Sequence, residues 1–151
     1  MSYRIKKLQK KHIKKEYIET INHSQTKKFI QFAKIGKSRK TKKDLDEYLD
    51  MLPKNAHLFG VFKKNIHVAN FKFQPIEKKV FIGFLMFKKY QGKGIFRIIF
   101  SKIINKFKLK YPKEKKLYLG VDKKNYRAIR LYNKLGFKLI SKKKSIMTLN
   151  V

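Results

Sequence analysis

The chain has 151 residues, no cysteine and a formal net charge of +32, from 41 Lys and Arg against 9 Asp and Glu. Its length suits one domain that buries roughly two-thirds of its unfolded surface, and the lack of cysteine excludes a disulfide framework and thiolate zinc sites. No run approaches the ~18 apolar residues of a membrane span. The N-terminal MSYRIKKLQKKHIKKEY has no apolar signal region, so the expectation is a soluble, cytoplasmic protein.

Residues 2 to 8 alternate polar and apolar side chains (Tyr3, Ile5, Leu8), which suits a first strand. From about 10 to 35, Ile13, Tyr17, Ile18, Ile21, Phe29, Ile30 and Phe32 recur at helical spacing, broken at Asn22-His23-Ser24 and ended by Gly36. Thr41 and Asp44 form a capping-box pattern before Leu45, Tyr48, Leu49 and Leu52. The period then changes. His57 to Phe62 and Ile66 to Ile76 read as a hairpin across a Lys-Lys-Asn turn, and KVFIGFLMF (residues 79 to 87) as a central strand buried on both faces. A helix over 92 to 110 carries Ile95, Ile98, Ile99, Ile103, Ile104 and Phe107, and Lys116 to Val121 is a further strand. Asn125 to Leu135 reads as a helix ended by Gly136, before a last antiparallel pair over 137 to 140 and 145 to 149. The result is one α+β domain over 1–151 around a mixed sheet. Residues 1–56 form a mainly helical part after the first strand, and 57–151 hold the hairpin, the sheet core and the last strands.

A lysine-rich surface attracts nucleic acid, acidic lipid and small polyanions through its summed potential. Yet only five residues are Arg (Arg4, Arg39, Arg97, Arg127, Arg130), and specific phosphate recognition favours the bidentate Arg fork. Nucleic acid therefore stays open as a partner without being favoured. The charge reads first as a solvated surface of AT-rich codon bias.

YQGKGIF (residues 90 to 96) lies between the apolar strand and the long helix. A glycine turn at that point offers free backbone N–H groups at the positive end of the helix dipole, a site for phosphate. It has neither the spacing of a Walker loop nor that of GxGxxG, so alone it is also compatible with an ordinary turn. Further on, VDKKNYRAIRLYNKLGFKLI (residues 121 to 140) follows a second strand.

Together the two segments resemble the Gcn5-related N-acetyltransferase (GNAT) family, in which [R/Q]-x-x-G-x-[G/A] follows one strand and V-x-x-x-N-x-x-A-x-x-L-Y-x-x-x-G-F another. Gln91, Gly94, Val121, Asn125, Ala128, Leu131, Tyr132, Gly136 and Phe137 fill those places; Phe96 departs, standing where the family has Gly or Ala. The resemblance covers roughly residues 79 to 150. It implies a mostly antiparallel sheet flanked by helices with splayed central strands, and acetyl-CoA (coenzyme A) as cofactor. It also assigns site residues. Phe84, Leu85 and Met86 would offer main chain to the pantetheine, Gln91, Gly92, Lys93, Gly94, Ile95 and Phe96 would hold the diphosphate, and Asn125 and Ala128 would flank the arm. Tyr132 would be the catalytic acid toward the leaving thiolate, a role that suits a phenol of ordinary pKa near 10. By helical spacing alone, Ala128, Leu131, Tyr132 and Leu135 also read as a packing stripe.

The attacking amine needs a base, for which the residues offer His67, Glu77, His57, His23 and Asp122, the last equally a helix cap; the base stays unassigned. The segments YIETINHSQTKKFIQF and HLFGVFKKNIHVANFKFQPI further resemble acetyltransferases of nucleotide-linked amino sugars in bacterial surface glycan pathways. That implies a small, anionic amine as acceptor, with Asn22, His23, His67 and Asn70 on its side. Two alternatives stand beside it: acetylation of a protein amino terminus, ribosomal protein or tRNA, and a non-catalytic nucleic-acid-binding protein on the same fold, for which Phe96 is the argument. No metal site is expected. The last strand fits a monomer or a homodimer.

Overall fold

Strand and helix periods alternate along the chain as the sequence suggests, and the computed structural model describes residues 2–23 and 39–151. Among the described residues the strands are β1 (Arg4–Lys7), β2 (His57–Lys63), β3 (Ile66–Ile76), β4 (Lys79–Met86), β5 (Lys116–Gly120), β6 (Lys138–Ser141) and β7 (Ile146–Asn150). The helices are α1 (Lys15–Asn22), α2 (Lys42–Asp50), α3 (Ile95–Lys110) and α4 (Tyr126–Lys134). The strands form one sheet in the order β1-β2-β3-β4-β5-β7-β6. Every neighbouring pair is antiparallel except β4–β5, which is parallel.

Local chemistry explains the joints. Both hairpin loops, Lys64-Asn65 and Glu77-Lys78, put two residues in the left-handed region (φ 49°, 68° and 48°, 67°), the twist-matched geometry of two-residue hairpins. The Thr41–Asp44 capping box forms as its spacing suggests. Helix α1 stops at the expected break: His23 is extended, and the Asn22 amide donates to Ile18 O and Lys40 O while its Oδ1 accepts from Lys40 N. The helical reading of Phe29, Ile30, Phe32 and Gly36 lies outside the described residues.

Each face of the sheet has its own core. Under α3, Phe71, Phe73, Ile99, Ile103, Phe107 and Leu117 are almost fully buried; under α1 and α2, Ile13, Tyr17, Ile21, Leu45 and Phe87 pack together. Two expectations need correction here. Ile98 is 59% exposed, while Phe96 and Phe100 are buried. At 100° per residue, positions 95, 96, 99, 100, 103 and 107 share one side of α3 and position 98 falls off it. Strand β4 is central but not buried on both faces: only Val80 is buried, Gly83 is exposed, and Phe84 to Met86 are half-buried. The cause is the opening beside it.

Candidate active site between two diverging strands

β4 and β5 pair at a single point, Phe81 with Tyr118. Beyond it they part. Antiparallel pairing with β3 alternates main-chain direction along β4, and Phe87 N donates to Val68 O. By that alternation Phe84 and Met86 turn their main-chain groups away from β3, into the gap. Gln91 Nε2 already donates to Met86 O at 2.9 Å, so the glutamine tethers the following loop to the strand. Thr20 of α1 accepts from Lys88 N at 2.8 Å, fixing the same loop from the other side.

In the loop, Gly92 and Gly94 adopt φ of 74° and 72°, which disfavours any side chain. Gly94 is the N-cap of α3 and provides no side-chain cap, so the first-turn N–H groups stay open at the positive helix end. Phe96 does not block this approach. It is 8% exposed and turns into the core, its ring 4.1 Å from that of Phe84 and 6.1 Å from that of Tyr132. The residue that departs from the family pattern therefore packs the floor of the site, which removes its weight as an argument for a non-catalytic protein.

Helix α4 carries the other wall. Asn125 is its N-cap, with Oδ1 accepting from Ala128 N at 3.3 Å; the cap engages the oxygen and not the amide nitrogen. Asp122 is not the cap but accepts from Lys124 N. At the other end Gly136, at φ 102°, allows Phe137 N to donate to Tyr132 O in a Schellman-type closure. That closure seats the Phe137 ring 5.7 Å from the ring of Tyr132. Burial pushes the Tyr132 phenol up to about 12, above the ordinary value assumed from sequence.

Every residue that the motifs assign to the coenzyme lines one cleft of about 790 Å³. Lys88, Lys93, Arg97, Lys124 and Arg127 line it too, with no carboxylate among its described lining residues. Sequence reasoning missed Arg97 and Arg127, although both are among the few arginines and sit just after the loop and the α4 cap. A second cleft of about 340 Å³ opens on the α1–α2 face, and the two share Phe84, Leu85, Asn125, Ala128 and Tyr132.

The residues expected on the acceptor side divide. Asn70 lines the second cleft and is 3% exposed; its Nδ2 has no hydrogen bond among the described residues. The Tyr17 phenol is near enough for the Asn70 amide to oppose the upward push of burial on its pKa, yet the pair does not reach hydrogen-bond geometry. His67 stands behind Asn70: its Nε2 faces Asn70 Oδ1, and it is ringed by Phe62, Phe87, Tyr17 and His12. Burial lowers its pKa, so it is neutral at pH 7. Asn22 and His23 do not line either cleft; Asn22 spends its amide on the main chain of Lys40, as described above. Of the base candidates, Glu77 is exposed in a hairpin loop and His57 packs near Tyr111. Asp122 is the sole carboxylate among the described residues lining the clefts, and Lys72 is the sole cation of the second one. Among the described lining residues, cations therefore gather at the first cleft more than at the second.

A family model described as the acetyltransferase (GNAT) family matches residues 18–137. The chain belongs to that family and is an acetyltransferase. Solved structures agree in fold. The PaiA N-acetyltransferase from Thermoplasma acidophilum in complex with coenzyme A is 20% identical, with TM-score 0.69 over 100% of both chains. An N-acetyltransferase from Staphylococcus aureus is 16% identical, with TM-score 0.71 over 99% of each. The alanine N-acetyltransferase for a ribosomal protein of Escherichia coli is 16% identical, with TM-score 0.62 over 99% of this chain and 94% of that one. No match was found among curated proteins.

Proposed function

We propose that the protein is an acetyl-CoA-dependent N-acetyltransferase in which a primary amine attacks directly, with an amino sugar linked to a nucleotide as acceptor. The observation that carries this reading is the meeting of two clefts at Tyr132, in the gap between β4 and β5. The coenzyme-side cleft fits a thioester of a diphosphate-bearing carrier. It combines strand main chain turned away from β3, two left-handed glycines and an uncapped helix start with five cations and no carboxylate among the described lining residues. Bound there, acetyl-CoA supplies an acetyl thioester.

The remaining chemistry belongs to this chain. Phe84 and Met86 would orient the pantetheine arm through main-chain groups, the amides of Gln91 to Phe96 would hold the diphosphate, and Asn125 and Ala128 would border the arm. Asp122 lies on the acceptor side, where it holds the incoming ammonium and takes its proton. Tyr132 keeps its proton throughout the neutral range and would offer that hydrogen to the leaving sulfur. A phenol this weak stabilises a departing thiolate mainly by hydrogen bonding, because a thiol near pKa 8.5 is the stronger acid. Asn70, held by His67, and Lys72 supply the donors for acceptor oxygens, Lys72 matching one phosphate.

The test is calorimetric titration with acetyl-CoA, then turnover with amino-sugar nucleotides, polyamines, peptides and tRNA. Saturable coenzyme binding with fastest turnover of an amino-sugar nucleotide is expected. Absence of coenzyme binding would sink the enzyme reading, and a peptide or tRNA as best substrate would overturn the acceptor.

A further inference from the structure

Glycine weakens a strand interior, yet Gly83 lies within β4 and Gly120 ends β5 opposite it. Phe81 pairs with Tyr118, and each glycine stands two residues beyond its member of that pair, so the two sit opposite each other where the strands begin to part. Ile82, Phe84, Leu117 and Leu119 pack into the α3-side core, which by strand alternation turns Gly83 and Gly120 to the other face. Neither has a positive φ, so backbone conformation does not call for glycine. A Cβ at either would meet nothing within 4 Å. What their missing side chains leave open is the floor of the 340 Å³ cleft, under Tyr17 and Ile21 of α1 and Tyr48 of α2. At its edge, the almost fully buried Asn70 carries an Nδ2 donor with no hydrogen bond among the described residues, beside the Tyr17 phenol. A buried donor without a partner is costly, and a ligand oxygen would satisfy it.

We propose that Gly83 and Gly120 are acceptor-specificity residues: they form a flat floor on which a ring of the acceptor lies, while Asn70 Nδ2 donates to an oxygen on that ring. This rests on the function proposed above and assigns the residues that would admit the ring of its acceptor, a cyclic amine bearing hydroxyl or carbonyl oxygens. A linear polyamine brings no oxygen for Asn70 and would need several carboxylates, where the described lining has Asp122 alone. A peptide amino terminus needs no flat floor. His67 acts here as a positioning residue, since it fixes the Asn70 oxygen and does not line the cleft.

Gly83→Ala, Gly83→Val and Asn70→Asp test this, with glucosamine, UDP-glucosamine, spermidine and an alanyl peptide as probes. The wild-type protein should acetylate a ring amine in preference to spermidine and peptide. Gly83→Val should raise the KM for that ring amine about tenfold or more, and Gly83→Ala should raise it less. The Kd for acetyl-CoA should stay unchanged, and the Tm unchanged or higher, because a Cβ favours the strand. Asn70→Asp keeps the shape but replaces the donor with an acceptor, so it too should raise KM while leaving coenzyme affinity alone. The proposal is overturned by an unchanged KM in Gly83→Val, by spermidine or peptide as the best substrate, or by loss of acetyl-CoA binding in Gly83→Val. It is equally overturned if a protein that binds acetyl-CoA turns over neither ring amine. Failure of the wild-type chain to bind acetyl-CoA is a separate result, which removes the proposed function itself.

Discussion

Burial at Tyr132 sets the chemistry that the side chain can do. With its pKa pushed up to about 12, the phenol is a permanent hydrogen-bond donor at physiological pH and never a base. Tyr132→Phe should lower kcat by about 10²- to 10³-fold while acetyl-CoA binds as before, and the wild-type pH–rate profile should show no tyrosine limb below about pH 10. Phe96 behaves oppositely to what its place in the motif suggests. Buried between Phe84 and Tyr132, it should cost about 3–5 kcal/mol of stability when changed to Gly, seen as a large drop in Tm without tighter coenzyme binding. His67 is held neutral by burial, its folded pKa lying below the usual 6.5. Its contribution to stability is therefore complete above about pH 6.5 and lost as pH falls through the lower folded value. Thermal melts from pH 7 to 5 should fall more steeply for wild type than for His67→Gln. The motif residues were legible because glycine conformation and helix capping are local. The raised Tyr132 pKa and the Asn70 orphan were not, since both arise from neighbours distant in sequence.

Elements place these residues, and the informative ones are the joints. The gap between β4 and β5 is a property of pairing: one contact at Phe81 and Tyr118, then divergence. The apolar run of β4 suggests full burial because nothing in its own residues records that a neighbour leaves. The hairpin, the α2 capping box and the α4 stop at Gly136 were legible, since each rests on a few adjacent residues. Asn22 shows the limit. Its side chain reaches from the end of α1 to Lys40 just before α2, a contact with no mark at sequence level. Asn22→Ala should lower stability by about 1–3 kcal/mol through loss of its hydrogen bonds to the Lys40 main chain, with little direct effect on coenzyme affinity. Equilibrium urea melts and calorimetry on that variant separate a structural tie from an acceptor contact.

For the whole molecule, a charge of +32 on 151 residues makes self-repulsion a constant opponent of folding. The ion pairs Lys10–Asp50, Lys15–Glu19 and Lys42–Asp46 lie at the surface and offset little of it. Five cations among the described residues line the larger cleft, where the function proposed above would seat the coenzyme diphosphate. Those cations border the place where β4 and β5 part, in the middle of the sheet. The most direct measurement is calorimetric titration of acetyl-CoA into the wild-type protein at low and high salt. Binding of one coenzyme per chain, weakening as salt screens the cleft, is the predicted result. No saturable binding at either salt concentration would contradict the central claim.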